Sequence, residues 1–297
     1  MPSRWEHKMD IAVPISYWPH RAGPLAVEGG QLSTKEETVY DVGSFDLFAL
    51  EEALAWRDRW GAKVTVVLVG HKAQEEGLRA GLSLGADDAV RLWDEGLEGF
   101  FPTPSIVTAR ILAAWIEKLG FQLVLCGDKS SASASGLVGN YLAHFLARPV
   151  LSRVVQIEKL AETNLKVTCR GERGSRRMCE CPLPAVLSLG RGSEPRYPTL
   201  PARLAAQQAE IPVFNLAELQ VEPAEIDTLA SYVRTVHLAL ARPKPKKIFT
   251  PDSSMSASDR MKMILSGGVK RKKGNLAEGS QGGAAQIYDL LRKEGLI

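Results

Sequence analysis

Hydrophobic and polar positions along the first 150 residues follow the spacing of alternating strands and helices. Residues 63–69 form an apolar, β-branched run without polar alternation, which is typical of a strand covered on both faces. The same pattern predicts strands over residues 10–16, 63–69, 88–92 and 122–126. Apolar residues at helical spacing predict helices over residues 44–60, 74–84, 104–119 and 135–148.

Strands that alternate with helices through short connections predict an α/β fold with a doubly wound, mostly parallel sheet that has helices on both faces. After Pro149 the pattern changes, and strands are predicted over residues 150–158, 164–169 and 177–189. Helical spacing is weak from there until residues 284–294. We therefore expect a C-terminal strand-rich extension and a terminal helix that pack on a partner subunit.

The predicted organisation has three parts. An N-terminal extension covers residues 1–8, and the main domain covers residues 9–220, including a loop near 194–205. A C-terminal extension over residues 221–297 holds a basic linker and the terminal helix.

Composition narrows the class of protein. The chain has 297 residues, of which 45% are hydrophobic and 24% are charged, as in ordinary globular proteins and unlike disordered or collagen-like chains. The longest apolar runs have the length of strands, so no membrane span is predicted. Four cysteines without the spacing of a disulfide or metal motif, and the lack of a targeting signal, predict a cytoplasmic protein with free thiols.

Charge is distributed unevenly. Residues 242–273 contain ten basic and two acidic residues, a net charge of +8, so the rest of the chain carries 3 − 8 = −5. Such a segment is typical of a solvated linker, and it also suits an acidic or membrane-associated partner. Nucleic-acid binding is disfavoured, because a single aromatic residue, Phe249, lies among the basic ones and no known module is present.

Catalytic motifs are missing from the sequence. The five histidines are scattered, and no Gly-x-Ser-x-Gly, His-Glu-x-x-His or Walker loop occurs. We expect no catalytic residues and no metal site, which favours a binding protein or carrier over a hydrolase.

One loop has the character of a phosphate site. Residues 126–139 follow a buried strand, open a predicted helix and consist mainly of glycine, serine and alanine. Ligands of doubly wound sheets bind at the carboxyl ends of the strands, and the N–H groups of a helix N-terminus suit phosphate. A flexible serine-rich surface loop is the alternative.

Three stretches resemble the beta subunit of electron transfer flavoproteins, the small partner of a heterodimeric electron carrier. The first is Phe45-Asp46-Leu47-Phe48-Ala49-Leu50-Glu51-Glu52-Ala53, and the second is Gly77-Leu78-Arg79-Ala80-Gly81-Leu82-Ser83-Leu84-Gly85-Ala86-Asp87. The third joins Pro182-Leu183-Pro184-Ala185-Val186 to Glu194-Pro195-Arg196-Tyr197-Pro198-Thr199-Leu200-Pro201. The resemblance covers residues 9–220, and residues 284–297 resemble the family's last helix.

The resemblance implies that the sheet is Rossmann-like, of the adenine-nucleotide-binding type, and that residues 9–220 form a nucleotide-binding domain. It also implies an adenosine monophosphate (AMP) site in this subunit and a flavin adenine dinucleotide (FAD) in the heterodimer. Residue by residue, the nucleotide contacts fall on Ala12, Gly43, Ser44, Phe45, Asp46, Val69, Gly127, Lys129, Ser133, Ala134, Ser135, Gly136, Leu137, Val138 and Gly139. The chain departs from the family at Ala132-Ser133-Ala134, where acidic residues are usual, at Leu137, where glutamine is usual, and at Gly43-Ser44, where Asn-Pro is usual. These departures leave the identity of the ligand open, since bifurcating relatives hold a second FAD at the same place.

The resemblance also implies contacts with partners. Leu200 matches the leucine that anchors a dehydrogenase, with packing under its own loop as the alternative. Arg170 and Glu172 match a strand-turn region that faces the alpha subunit, with a solvated hairpin as the alternative.

The function implied is that of an electron-carrier subunit. It pairs with the alpha subunit, accepts electrons from a flavin dehydrogenase of the acyl-CoA dehydrogenase type and passes them to a quinone or ferredoxin-type acceptor. An electron-bifurcating version with FAD in both subunits is one alternative. A stand-alone nucleotide-binding regulatory protein is an alternative from another class, and the Leu-Pro-Ala-Val and Glu-Pro-Arg-Tyr stretches weigh against it.

Overall fold

The structure of the protein is a computed structural model. The residues that it describes are 9–19, 25–28, 31–34, 40–100, 103–130, 134–159, 161, 163–234, 236, 252, 254–265 and 280–293. They divide between two compact units, Met1–Leu240 and Ala241–Ile297.

The first unit holds thirteen described strands and six described α-helices. In chain order these are β1 (Asp10–Pro14), β2 (Tyr17–Pro19), β3 (Leu25–Glu28), β4 (Gln31–Thr34), β5 (Tyr40–Val42), α1 (Ser44–Trp60), β6 (Lys63–Val69), α2 (Glu75–Leu84), β7 (Asp88–Leu92), α3 (Ser105–Leu119), β8 (Leu123–Gly127), α4 (Val138–Phe145), β9 (Val150–Lys159), β10 (Asn164–Arg170), β11 (Arg176–Pro182), β12 (Ala185–Leu189), α5 (Leu200–Gln208), β13 (Val213–Phe214) and α6 (Pro223–Ser231).

Nine strands form one sheet in the order β11-β10-β9-β12-β8-β1-β6-β7-β13. Seven neighbouring strands of this sheet run parallel to one another, and β10 and β11 extend the sheet with antiparallel pairing. The seven parallel strands are β9, β12, β8, β1, β6, β7 and β13. The chain leaves β1 toward β6 and later returns to its other side as β8. This reversal creates a crevice at the carboxyl ends of β1 and β8, and the mostly parallel α/β fold predicted from the sequence is confirmed.

Both faces of the central strands are buried, which explains their continuous apolar sequences. On one face Ile11, Val64 and Leu123 pack with α1 and α2. On the other face Ala12 and Val124 pack with α3 and with Ile226 of α6. The crevice therefore lies between two apolar layers that hold the strand ends in place.

Several element boundaries differ from those predicted. The single strand expected over residues 177–189 is two strands, β11 and β12, separated at Leu183-Pro184, so the strand-rich region joins the central sheet. Helices α5 and α6 were missed, because their buried residues are few: Ala206 in α5, and Ile226 and Ala230 in α6. Such helices show little amphipathic pattern in the sequence.

The second unit holds two described helices, α7 (Ala257–Leu265) and α8 (Ser280–Lys293). Helix α8 confirms the predicted terminal helix, and α7 was not predicted. Most of the basic run at residues 242–273, and the whole N-terminal extension 1–8, lie outside the described residues. No helix in the described part of the chain is long and apolar enough to cross a lipid bilayer.

Candidate functional site

The crevice edge is formed by the carboxyl ends of four parallel strands, β1, β6, β8 and β12. Helix α1 is the next element of the central fold after β1, and the small strands β2 to β5 lie between them in the chain. The loop of residues 128–137, here called the β8 loop, follows β8. These two segments contain most of the nucleotide contacts implied by the resemblance. The fold thus brings the start of α1 and the β8 loop to the same edge.

Asp46 joins the two central strands at this edge. Its carboxylate accepts hydrogen bonds from the backbone N–H of Ser16 at 2.9 Å and from the Ser16 hydroxyl at 2.5 Å. It also accepts one from the backbone N–H of Gly127. Burial, partly offset by these hydrogen bonds, raises the pKa of Asp46 to about 6. Because its oxygens accept hydrogen bonds from the protein, Asp46 has a structural role at this edge: it links the chain after β1 to the end of β8.

Gly127 has no room for a side chain. A Cβ atom there would overlap a carboxylate oxygen of Asp46 and lie 2.9 Å from the backbone carbonyl carbon of Phe45. A Cβ atom at Gly43 would similarly lie 2.5 Å from Asp46 and 2.9 Å from the Ser16 hydroxyl oxygen. The close approach of the two backbones to Asp46 therefore depends on glycine at both positions.

The conformation of the β8 loop makes α4 begin later in the chain than the sequence predicts. Ala134 has a φ of 53° and Gly136 has a φ of 63°, both in the left-handed region. Since neither residue is helical, α4 begins only at Val138, and it ends at Phe145, before Ala147 with its φ of 50°. The helix predicted over residues 135–148 was therefore wrong at both ends. The loop is tied down by the Ala134 N–H, which donates to the Ser130 carbonyl at 2.9 Å.

The start of α4 has the properties of an anion site. Its N-cap residue, Leu137, makes no side-chain capping hydrogen bond, and the first turn has no acidic residue. The first N–H groups of a helix have no acceptor within the helix. Lys129 is exposed and lies beside Gly136, with its Cγ atom 3.9 Å from where a Cβ of Gly136 would stand. This donor set fits a phosphate group.

The floor of the site beneath α4 consists of small and neutral groups. Gly139 faces Cys126 and Ser188, and a Cβ atom there would lie 2.9 Å from the Cys126 Sγ atom and closer still to the Ser188 hydroxyl. The Cys126 and Ser188 side chains are 3.3 Å apart. Burial raises the pKa of the Cys126 thiol to about 12, so the thiol is neutral at physiological pH.

The structure places most of the predicted nucleotide contacts in three segments at the carboxyl ends of the strands. Gly43, Ser44, Phe45 and Asp46 lie at the start of α1, Val69 ends β6, and Gly127, Lys129 and residues 134–139 lie on and after β8. Ala12 is fully buried within β1, two residues before the end of the strand. Ser133 lies outside the described residues.

Three further residues of this edge were not identified from the sequence. Ser16 and Ser188 contact Asp46 and Cys126, as described above. The Asp128 carboxylate accepts from the Arg153 N–H at 3.1 Å, which links the loop to β9. Ser16 and Asp128 are the first polar residues after buried strands, and that position was the signal available for them.

A second exposed feature is the 194–209 element, which comprises the loop before α5 and α5 itself. Thr199 caps α5, since its hydroxyl oxygen accepts from the Ala202 N–H at 3.3 Å. Leu200 is 70% exposed, and Tyr197 and Leu204 are also exposed. Leu200 therefore does not pack under its own loop.

The β10–β11 hairpin carries a concentration of positive charge. Arg170 and Glu172 are both exposed, and Arg170 lies directly opposite Arg176 in the register of the two strands. Like charges opposite each other are destabilising in a sheet. Arg170, Arg176 and Arg191 line an open cleft of about 640 Å³. Arg170 and Arg176 are both exposed, and neither belongs to an ion pair within the described residues.

Comparison with known proteins gives consistent matches. The sequence model of the electron transfer flavoprotein domain family matches residues 32–219 of this chain. The chain is similar to the electron transfer flavoprotein subunit beta of Mycobacterium tuberculosis (strain ATCC 25618 / H37Rv), with 35% identity over 209 residues, 67% of this chain and 74% of the relative. The corresponding subunit beta of Methylophilus methylotrophus is 32% identical over 211 residues, 70% and 79% of the two chains. Protein FixA of Azotobacter vinelandii is 30% identical over 213 residues, 69% and 74% of the two chains.

Proposed function

The chain belongs to the electron transfer flavoprotein family, whose members transfer electrons, and we propose that it is the beta subunit of a heterodimeric carrier that holds AMP as a structural ligand. The observation that carries the proposal is the donor set at the β1–β8 edge. An uncapped helix N-terminus, a nearby lysine and closely approaching glycine backbones meet at the place where doubly wound sheets bind ligands.

The proposed AMP site uses backbone groups for the phosphate. The N–H groups of Val138, Gly139 and Asn140 hold the phosphate oxygens, and Lys129 balances their charge. Asp46 keeps the ends of β1 and β8 at the spacing that the ligand needs. The site adds no redox chemistry of its own, and the FAD of the heterodimer supplies the electron-transfer chemistry when it is bound.

The proposed first partner is the alpha subunit of the heterodimer. Two surfaces support it: the arginine-lined cleft of the β10–β11 hairpin, with Arg170 and Glu172, and the apolar side chains of α8. Ile287, Tyr288 and Leu290 on α8 are each more than half exposed, which is unusual for three neighbouring apolar residues on one helix. In the proposal, acidic groups of the alpha subunit occupy the cleft, and α8 packs on that subunit.

The second proposed partner is a flavin dehydrogenase of the acyl-CoA dehydrogenase type. Leu200 is the anchor in this proposal, since an exposed leucine on a capped helix end can enter an apolar pocket with little loss of conformational entropy. Electrons then leave the heterodimer to a quinone or ferredoxin-type acceptor. The net charge of +8 in the sequence of residues 242–273 favours an acidic or membrane-associated acceptor.

The test is to purify the native heterodimer and extract its nucleotides with acid. The proposal expects one FAD and one AMP per heterodimer. Two FAD molecules and no AMP would replace it with the electron-bifurcating alternative. A stable monomer that carries an adenine nucleotide and binds no second subunit would replace it with the regulatory alternative.

A further inference from the structure

Two arginines hold the 194–209 element at its two ends. Arg196 lies just before α5 and contacts α1, whereas Arg79 lies on α2 and contacts the end of α5. These arginines belong to different parts of the chain, and neither is among the residues that carry the proposed nucleotide or partner contacts.

The first arginine fixes the approach to α5. The Arg196 side chain binds both carboxylate oxygens of Glu51, with its Nη2 atom 2.9 Å from Oε1 and its Nε atom 3.0 Å from Oε2. The Arg196 backbone N–H donates to Glu51 at 3.0 Å, and Nη1 donates to Asp58 at 2.9 Å. A paired contact of this kind fixes orientation as well as distance.

The second arginine fixes the end of α5. One nitrogen of Arg79, Nη1, donates to the carbonyl oxygens of Ala206 at 2.8 Å, Gln207 at 3.1 Å and Ala209 at 2.9 Å. Carbonyl groups at the end of a helix have no partners within the helix. A positive charge at this end also interacts favourably with the negative end of the helix dipole.

Burial alone does not explain the order of this element. Ala206 is the one buried residue of α5, while Leu200 and Leu204 stay exposed. A helix of nine residues is too short to be stable by itself. The two arginines therefore supply much of what keeps α5 and its exposed leucines in one position.

We infer that Arg79 and Arg196 are positioning residues for dehydrogenase docking, which hold Leu200 in its binding orientation before the partner arrives. The inference rests on the proposed function, in which Leu200 is the docking anchor. Pre-ordering removes an entropy cost from binding, so loss of either arginine weakens docking without removing any contact with the partner.

The experiment uses the holo-heterodimer and a purified acyl-CoA dehydrogenase that reduces the unmodified heterodimer. The variants are Arg196→Gln and Arg79→Gln, with Arg203→Gln as the matched control. Arg203 is an exposed arginine on α5 with no ion pair in the described residues, so its loss removes one positive charge near Leu200 and leaves both fixing contacts in place. Each test variant is expected to raise the KM for the heterodimer about tenfold at unchanged kcat and FAD content. The Arg203→Gln control stays near the original KM.

Hydrogen exchange of the backbone amides provides a readout that needs no dehydrogenase. Faster exchange confined to residues 199–209 is expected in both test variants and not in the control. A variant with faster exchange and an unchanged KM would overturn the inference. An unmodified heterodimer that no acyl-CoA dehydrogenase reduces would instead count against the proposed function.

A double-variant comparison separates positioning from direct contact. If Arg196 acts through Leu200, then Arg196→Gln adds little to the effect of Leu200→Ala on KM. Multiplication of the two separate effects in the double variant would show that Arg196 contributes independently, and would overturn the positioning role.

Discussion

The β1–β8 edge and the 194–209 element are held in place by opposite means. At the edge, a buried carboxylate, Asp46, joins two backbones so closely that Gly43 and Gly127 have no space for a side chain. In the 194–209 element, almost nothing is buried, and two partly exposed arginines provide the fixed points. The edge should therefore respond to changes of atom size and protonation, and the element to the loss of surface contacts.

The largest expected effect is the pH response of Asp46. Its pKa rises from 3.8 in the unfolded chain to about 6 in the fold, which corresponds to about 3 kcal/mol. This stabilisation is fully present below pH ~4 and is lost as the pH rises through ~6, because the folded protein then has to ionise a buried group. Asp46→Asn should remove this dependence. The measurement is the difference in melting temperature between the two heterodimers from pH 4.5 to 8, which should shift toward the variant as the pH rises.

Asp58→Asn is the control for that comparison. Hydrogen bonding from Arg57, and more weakly from Arg196, lowers the pKa of Asp58, which is exposed. Its contribution has the opposite sign, since it is present above the unfolded pKa and is lost as the pH falls. A temperature difference that does not change with pH in Asp46→Asn would contradict the raised pKa.

The second effect tests the conformation of the β8 loop. Gly136→Ala places a Cβ atom 2.8 Å from the Asp128 carbonyl oxygen, in a residue with a φ of +63°. Strain and crowding together should cost about 2–3 kcal/mol, and AMP should be lost during purification. Gly120→Ala is the control, because Gly120 has a φ of +75° with no atom near its Cβ position. Equal AMP content in the two variants would show that the loop does not form the site.

The third effect belongs to the exposed element. Leu200→Ala removes no core contact, so the melting temperature should change by less than about 1 °C. The KM for the heterodimer in the dehydrogenase assay should rise about thirtyfold, equivalent to about 2 kcal/mol. Met178→Ala serves as the control, since Met178 is 69% exposed but lies on the β10–β11 hairpin. A clear fall in melting temperature with an unchanged KM would make Leu200 a structural residue.

The smallest effect concerns the basic run, which belongs to neither region. Replacing Lys270, Arg271, Lys272 and Lys273 by glutamine should leave the FAD and AMP content unchanged. Electron transfer to a quinone-linked acceptor should slow by less than about fivefold at low salt and recover at high salt, where charge interactions are screened. Loss of FAD in this variant would give the segment a role in assembly.

Sequence reasoning was most accurate where burial dictates the pattern. Strands β6 and β7 were predicted with the bounds that the structure gives, because their side chains are covered on both faces. The region of Asp46 was located through the resemblance, but its inward orientation was not, since Ser16 and Gly127 meet it only in the folded sheet. Prediction failed at α4, where Ala134 and Gly136 adopt positive φ values that an alanine- and serine-rich sequence does not reveal. Helix α5 was missed because Ala206 is its one buried residue, and the contacts of its ends with Arg79 and Arg196 are long-range contacts that no local pattern reveals.

Helix α1 connects the β1–β8 edge and the 194–209 element, because residues along this one helix contact both regions. Asp46 in its first turn supports the β1–β8 edge, while Glu51 and Asp58 further along receive Arg196. A helix of 17 residues is about 25 Å long, and each added residue rotates everything beyond it by about 100°. One extra residue between Asp46 and Glu51 would leave the edge intact and turn both carboxylates away from Arg196. The number of residues between Asp46 and Glu51 thus sets the position of Arg196, and with it the start of α5, relative to the β1–β8 edge.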